Sequence, residues 1–187
     1  MSTQTAQATT GTYVIDTIHS QIGFGARHAM VTKVRGTFND FSGGGFFDAQ
    51  TPANSNLELI IEAASFDTRN SDRDAHLRSN DFFNMEAFPE ITFTSTAFEN
   101  IAADTFRVSG DLSIKGVTKA VVFDVAYTGS AVDPYQNQRI GFEGKLTIDR
   151  RDGGINFNAA LETGGILVGE KITLEFEISA IRSAEAA

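Results

Sequence analysis

The stretch Lys171-Ile172-Thr173-Leu174-Glu175-Phe176-Glu177-Ile178 alternates polar and apolar residues without a break. In an extended strand, successive side chains point to opposite faces, so this period of two predicts a strand with one buried face. The same alternation recurs along the chain. It predicts strands at 13–16, 21–28, 34–43 (with a bulge near Asn39-Asp40), 57–63, 90–97, 106–114, 121–127, 139–148 and 172–181. So many half-buried strands in 187 residues indicate an all-β barrel or sandwich.

The chain length favours one domain, which we place at 12–182. Residues 1–11 are rich in Ser, Thr, Gln and Ala and are expected to form a disordered tail, with a short frayed end at 183–187. The first residues lack the basic start and apolar segment of a signal peptide. No apolar run reaches the ~18 residues that cross a bilayer. These features predict a cytoplasmic protein without membrane insertion.

The predicted interior is rich in phenylalanine, since the chain has 16 Phe, 3 Tyr and no Trp. Such rings suit a solid core or an apolar cavity, and an eight-stranded barrel is wide enough for either. Glycines also fall on inward faces, at Gly36, Gly110 and Gly144. Sharp curvature and space for a ligand would each explain them.

Composition and motifs argue against several other functions. The net charge of −9 and pI of about 4.7 disfavour binding to nucleic acid or anionic membranes. With no Cys, the chain has no disulfides, thiolate metal sites or thiol nucleophiles. No hydrolase elbow, phosphate loop or dinucleotide fingerprint is present, and Gly43-Gly44-Gly45 is interpreted as a hairpin turn. We predict no catalytic residues and no metal site.

One segment departs from the strand pattern. Residues 71–79 have helical composition, with Ser71 as the expected N-cap, and Asp72 and His76 could pair on one helix face. Phe82 and Phe83 follow, and we expect them to gate one barrel mouth. The charges of this segment suit either a solvated helix face or a polar rim at that mouth.

The chain resembles the YceI-like family of polyisoprenoid-binding proteins over nearly all its length, from about Tyr13 to Ile181. The resemblance is carried by Asp16-Thr17-Ile18-His19-Ser20, Phe24, Arg27-His28, Val34-Arg35-Gly36-Thr37-Phe38, Phe41, Phe66-Asp67-Thr68-Arg69, Asp72 to Ser79, Asp81-Phe82-Phe83, Pro89 to Phe93, Ser95-Thr96, Gly110 to Lys119 and Val168-Gly169-Glu170. Two positions depart from the family pattern, because Tyr13 stands where Trp is usual and Gly153 where an aromatic residue is common.

The resemblance implies an extended eight-stranded antiparallel barrel, similar to a lipocalin, with the short helix near a mouth. It implies an apolar tunnel holding a polyprenyl lipid, such as a quinone or a prenyl phosphate, and no catalytic cofactor. The inward faces then predict the lipid-binding residues Phe24, Val34, Phe38, Phe41, Leu59, Ile61, Phe82, Phe83, Phe93, Phe106, Leu112, Phe123, Phe142 and Leu146. We assign Arg27, His28, Arg69 and His76 to the head group or rim.

The tail should dominate affinity, because each buried CH₂ contributes ~0.8 kcal/mol. The acidic net charge slightly favours a neutral head such as a quinone. Two alternatives stay open at this point: a barrel enzyme of the isomerase or cyclase type, and a solid-cored interaction protein related to stress responses. A homodimer is the default expectation for the oligomeric state.

Overall fold

The computed structural model describes residues 9–184 of the chain, in which we find eleven strands, one α-helix and three short 3-10 turns. Of the expected tails at 1–11 and 183–187, residues 1–8 and 185–187 lie outside the described residues. The elements are β1 (Gly11–Ile15), β2 (Gln21–His28), β3 (Thr32–Phe38), β4 (Phe41–Phe47), β5 (Glu58–Glu62), β6 (Phe66–Asp67), α1 (Ser71–Arg78), β7 (Glu90–Ala102), β8 (Thr105–Ile114), β9 (Val117–Val132), β10 (Gln138–Asp149) and β11 (Val168–Arg182), with 3-10 turns at Pro52–Asn54, Ala63–Ser65 and Arg150–Gly153.

The sheet closes on itself as an antiparallel barrel. Over residues 9–184, eight strands form a ring in the order β1, β4, β5, β7, β8, β9, β10 and β11, and β1 pairs again with β11. The remaining strands, β2, β3 and β6, continue from β11 beside the ring and lengthen the barrel wall. The fold is therefore the extended eight-stranded barrel that the resemblance implied, and of the two architectures that alternation allowed it is the barrel and not the sandwich.

The longest strands extend well past their predicted ends. β9 spans 16 residues and β7 spans 13, although alternation of apolar residues is clear over only half of each. Their outer halves, such as Ile101 and Val132, are exposed and carry no regular pattern. Backbone pairing with a neighbouring strand continues there without a buried face, so hydropathy could not mark the true ends.

The chain bends at Asn39-Asp40, where a bulge was predicted, and this bend separates β3 from β4. The hairpin turn predicted at Gly43-Gly44-Gly45 is wrong, because these residues lie inside β4, between β1 and β5. Glycine is needed there because the backbones approach closely: a Cβ on Gly44 would lie 2.3 Å from the carbonyl oxygen of Tyr13.

The inward glycines each accommodate an aromatic ring. Phe24 lies opposite Gly36 and Phe176 opposite Gly144, and a Cβ on either glycine would be within 2.8 Å of that ring. Gly110 is covered in the same way by Phe93. Rings from neighbouring strands thus fill the space that a side chain would take. This explanation of the inward glycines differs from the two that the sequence suggested, sharp curvature and space for a ligand.

The helix α1 ends at Arg78, close to its predicted end, but two local predictions about it are wrong. Its N-cap is Asn70, whose side chain accepts a hydrogen bond from the backbone N–H of Arg73. His76 pairs with Asp81 at 2.9 Å rather than with Asp72. No helix within residues 9–184 is both long and apolar enough to cross a membrane.

The two ends of the described chain lie close together, where β1 pairs with β11. β1 begins at Gly11, and the buried Thr9 accepts a hydrogen bond from the Tyr13 hydroxyl at 2.8 Å. At the other end, the backbone N–H of Ser183 donates to the carbonyl of Thr12. Residues 9–11 and 183 are therefore held by the barrel, whereas the sequence placed them in the tails.

Candidate functional site

A long apolar cavity of about 690 Å³ runs inside the barrel. Its length follows from β10, whose inward residues line it from Ile140 to Ile148. Eight residues of extended chain span ~27 Å. The far end, near Tyr13, Ile140 and Ala180, is buried, whereas Arg27 and His28 at the other end are exposed. We call the exposed end the mouth.

The structure brings together most of the predicted lipid-binding residues. The members of that set that line the cavity are Phe24, Val34, Phe38, Leu59, Ile61, Phe82, Phe83, Phe93, Leu112, Phe123, Phe142 and Leu146. They come from strands all around the ring and from the turn after α1. The interior is thus hollow along its axis, which answers the question of cavity or solid core that composition left open.

Two predicted residues face inward without reaching the cavity. Phe41 is 6% exposed and belongs to the packed core opposite Ile61. Phe106 packs edge-on against Phe47, with ring centroids 5.7 Å apart. Both rings are enclosed by other side chains, so their assignment to the cavity wall is wrong.

Phe106 belongs to a cluster of four rings that we call the floor, formed by Phe47, Phe106, Tyr127 and Phe142. Phe47 and Phe142 line the cavity, with Phe106 and Tyr127 packed behind them. Tyr13 also lines this end, and burial raises the pKa of its phenol. The far end is therefore closed by aromatic packing.

The mouth concentrates hydrogen-bond donors. Arg27, His28 and His76 line it as predicted, but Arg69 does not; it is exposed in the turn before α1 with a positive φ of 62°. Arg73 lines the mouth in its place and donates to the hydroxyl and carbonyl oxygens of Thr68.

Arg150 is the mouth residue that the sequence reasoning missed. It lines the cavity at 4% exposure and donates to the carbonyls of Ile155, Val168 and Gly169. Within residues 9–184 no carboxylate lies within ion-pair distance of its guanidinium, and burial lowers its pKa. A guanidinium has five N–H donors, so it keeps donors available for a ligand.

Three rings border the mouth beside these donors. His76, Phe82 and Phe157 pack with centroid separations of 5.0, 4.9 and 5.1 Å, and all three line the cavity. Phe83 turns the other way and packs against Phe66 at 5.9 Å. Phe82 therefore lies in the position expected of a gating residue, held between α1 and the segment before β11.

Of the residues described, the acidic ones that line the mouth are Asp72 and Asp149. Hydrogen bonds from the Arg151 side chain hold the pKa of Asp149 well below its usual range, and Lys171 lies 3.4 Å away. Asp72 is exposed on α1. The charged groups that can still attract a ligand at this end are thus mainly cationic.

The cavity wall also has a seam. β9 and β10 are paired over one half of their length, from Val132 opposite Gln138 to Val125 opposite Gly144. In the described chain the pairing stops there, and the seam is the gap between the unpaired residues 117–124 of β9 and 145–149 of β10. The seam is bridged near the mouth by Lys119 and Asp152 at 3.7 Å. Phe123 and Leu146, half-buried on its two sides, separate the cavity from solvent there.

The lining offers little for catalysis or metal binding. No group of three or more His, Asp or Glu residues in 9–184 is arranged to hold a metal ion. In the same residues, the ionisable side chains that line the cavity are at the mouth, except for Tyr13 at the floor end. The arrangement suits holding an apolar molecule by its length and a polar group at the mouth.

Comparisons with known proteins agree with this architecture. The family model described as the YceI-like domain matches residues 13–180. The UPF0312 protein SERP2314 of Staphylococcus epidermidis is 42% identical over 167 residues, covering 88% of this chain and 93% of that protein. The UPF0312 protein plu2095 of Photorhabdus laumondii is 41% identical, covering 76% of this chain and 73% of that one.

Solved structures share the fold. The Campylobacter jejuni YCEI protein superposes with a TM-score of 0.71 at 30% identity, covering 84% of this chain and 90% of that one. A polyisoprenoid-binding domain from Saccharophagus degradans gives a TM-score of 0.68 at 15% identity, covering 91% and 98%. Together with the hollow barrel, these matches establish that the chain belongs to the YceI-like family.

Proposed function

We propose that this protein binds a polyisoprenoid lipid, with the prenyl tail inside the barrel and the polar head at the mouth, and that it carries or stores this lipid. The observation that supports the proposal most directly is the closed apolar cavity of about 690 Å³ with donors at one end. The polyisoprenoid-binding description of the Saccharophagus structure supports the choice of tail.

The cavity volume sets a scale for the tail. We take the volume of each tail carbon as ~30 Å³, about the volume that one molecule occupies in liquid water. Division of the cavity volume of about 690 Å³ by this value gives about 23 carbons. Burial of twenty carbons is worth on the order of 15 kcal/mol before ordering costs. The tail therefore supplies most of the affinity.

At the mouth, the head group of a bound lipid would meet several hydrogen-bond donors of the protein and few free acceptors. Arg27, Arg73 and Arg150 each donate to backbone or hydroxyl oxygens, and each retains N–H groups. Quinone carbonyls and phosphate oxygens are both acceptors, so both heads suit this end. These donors weaken the case for a neutral head that rested on net charge alone.

An enzyme acting on an apolar substrate is the rival function. It would need an acid or base deep in the cavity. Of the residues described, the deep lining contains Tyr13, whose hydroxyl is occupied by the carbonyl of Thr9. We therefore favour binding without chemistry.

Native mass spectrometry and organic extraction of the purified protein test the proposal. We expect a co-purifying prenyl lipid, or a rise in Tm when prenyl quinones or prenyl phosphates are added. An empty protein that no prenyl lipid stabilises would contradict it. Leu174→Trp, which points into the cavity, should lower the bound fraction, whereas Glu175→Trp on the exposed face should leave it unchanged.

The proposed gate can be tested at Phe82. Because Phe82 is 5% exposed and packed against His76 and Phe157, Phe82→Ala should cost ~3 to 5 kcal/mol of stability and would confuse the test. Phe82→Leu keeps most of the packing. We expect this variant to release a bound prenyl quinone faster than wild type does. The release rate is measured by fluorescence in the presence of excess acceptor vesicles. Unchanged release would exclude a gating role.

A further inference from the structure

The hairpin that joins β2 to β3 projects an apolar tip at the mouth of the cavity. Met30 is 61% exposed and Val31 is 73% exposed. Arg27 and His28, at the base of the tip, line the cavity. The backbone N–H of Ala29 donates to the carbonyl of Leu167, so the tip is anchored to the mouth. We call residues 29–31 the tip.

The tip has an unusual backbone. Ala29 and Met30 have φ angles of 49° and 63°, in the left-handed region that Gly, Asn and Asp normally fill in hairpin turns. A turn built from Gly or Asn would relieve this strain but would expose no apolar side chain. Strained residues of this kind concentrate at functional positions.

Three cations lie along the same hairpin, starting from Arg27 at the mouth. Arg27 lies directly opposite Lys33, and Arg35 lies two pairs further along, opposite Gly25. Like charges facing each other across a strand pair destabilise it. No carboxylate within residues 9–184 forms an ion pair with any of the three. We call Arg27, Lys33 and Arg35 the basic stripe.

The local charge around the hairpin contrasts with that of the whole chain. Residues 17–39 contain no Asp or Glu, although the chain carries 24 acidic residues and a net charge of −9. Charges more than about 10 Å apart are largely screened at 0.1 M salt. A surface that meets the hairpin therefore senses mainly the basic stripe rather than the acidic barrel behind it.

We propose that the tip and the basic stripe dock onto the surface of an anionic lipid bilayer. Met30 and Val31 would enter the interfacial region, and the basic stripe would face the anionic head groups. The mouth would then face the membrane, where a lipid could pass between bilayer and cavity. This shallow contact needs no membrane-spanning segment, and it does not depend on which lipid the cavity holds.

Acidic residues at and near the mouth oppose the proposed contact, and Glu162 is the one beside the tip. The loop that contains Glu162 lies beside the tip, since a Cβ on Gly165 would be 3.3 Å from Cγ of Met30. Glu162 is exposed. Its charge should weaken the approach to an anionic surface, so its removal gives a test of opposite sign.

Cosedimentation of the full-length protein with vesicles tests the proposal. We use equimolar phosphatidylglycerol and phosphatidylcholine vesicles, and phosphatidylcholine vesicles alone. Each basic residue near an anionic surface contributes about fivefold to partitioning, so Lys33→Gln/Arg35→Gln should lower binding by about 25-fold. Met30→Ser/Val31→Ser should lower it about tenfold, and Glu162→Gln should raise it. Salt at about 1 M should abolish most binding.

Matched controls remove the same chemistry from another face. Arg107→Gln/Lys145→Gln removes two charges on β8 and β10, away from the mouth, and Val122→Ser/Val132→Ser removes two exposed apolar residues on β9. These variants should bind as wild type does. Equal binding to both vesicle types, no binding to either, or equal losses in controls and hairpin variants would overturn the proposal. Leu174→Trp, with its cavity obstructed, should still dock, which separates this proposal from lipid carriage.

Discussion

Substitution of Arg150 by Met should destabilise the barrel strongly. The Arg150 guanidinium donates to the carbonyls of Ile155 at 2.7 Å, Gly169 at 3.0 Å and Val168 at 3.3 Å. Hydrogen bonds to charged groups contribute ~1.5 to 3 kcal/mol each. Two effects reduce this loss. Water can hydrate some of the freed carbonyls at the mouth in the variant, and removal of the buried charge also removes the free-energy cost of desolvating it. We therefore expect a net loss of about 3 kcal/mol, or ~6 to 12 °C in Tm for a chain of this size.

Arg151 provides a matched control for this prediction. It is the next residue and carries the same side chain, but that side chain is 49% exposed and pairs with Asp149 and Glu170. Exposed ion pairs contribute little, so Arg151→Met should lower the unfolding midpoint clearly less than Arg150→Met does. Arg150→Lys, which keeps the charge but loses the planar fork, should fall between the two.

Urea denaturation followed by circular dichroism measures all three variants. The reasoning would be refuted if Arg150→Met cost less than ~1 kcal/mol, or if Arg151→Met were equally destabilising. Either result would mean that the three carbonyls do not need the guanidinium. The loop between β10 and β11 would then be held by its other contacts.

Two further predictions concern pH and packing. The Arg139 side chain lowers the pKa of Asp16 to about 2, and for Asp133 hydrogen bonds from Asn137 and Arg139 outweigh burial and also give about 2. These pKa values lie below the unfolded value of about 3.9, so the stabilisation is present above pH ~4 and is lost as the pH falls toward 2. In urea unfolding, the difference in stability between wild type and Arg139→Gln should therefore shrink as the pH falls from ~4 toward 2. A difference that stays constant over this range would contradict the prediction. Gly144→Ala places a Cβ 2.8 Å from the Phe176 ring and should cost ~1 to 3 kcal/mol in urea unfolding, with partial recovery in Gly144→Ala/Phe176→Leu. No recovery in the double variant would show that the clash lies with the Asp124 carbonyl, 3.0 Å from the new Cβ, instead of the ring.

The alternation of apolar residues predicted the barrel and most of its inward side chains, because side-chain direction in a strand depends on position alone. It could not tell which inward side chains meet empty space. Phe106 and Phe142 have the same pattern in sequence, but Phe106 is packed behind the other rings and only Phe142 lines the cavity. Whether a ring is covered depends on rings that are distant in the sequence, and alternation within one strand gives no information about them.

The mouth was less predictable for a related reason. Arg150 and Phe157 lie in an irregular segment between β10 and β11, where no periodicity assigns a direction to a side chain. The Arg69 assignment failed because the turn before α1 has a positive φ that the sequence pattern did not reveal. Arg27 and His28 could be placed because they end a regular strand beside inward residues.

The barrel is closed by β11, which follows all the other described strands in the sequence. β11 pairs with β10 along one edge and with both β1 and β2 along the other. Without β11, β10 and β1 have no common neighbour, so the ring of strands would stay open and its inward phenylalanines would be exposed to solvent. Such long-range closure slows folding and exposes the chain to aggregation. An enclosed cavity therefore forms only after β11 has paired on both sides.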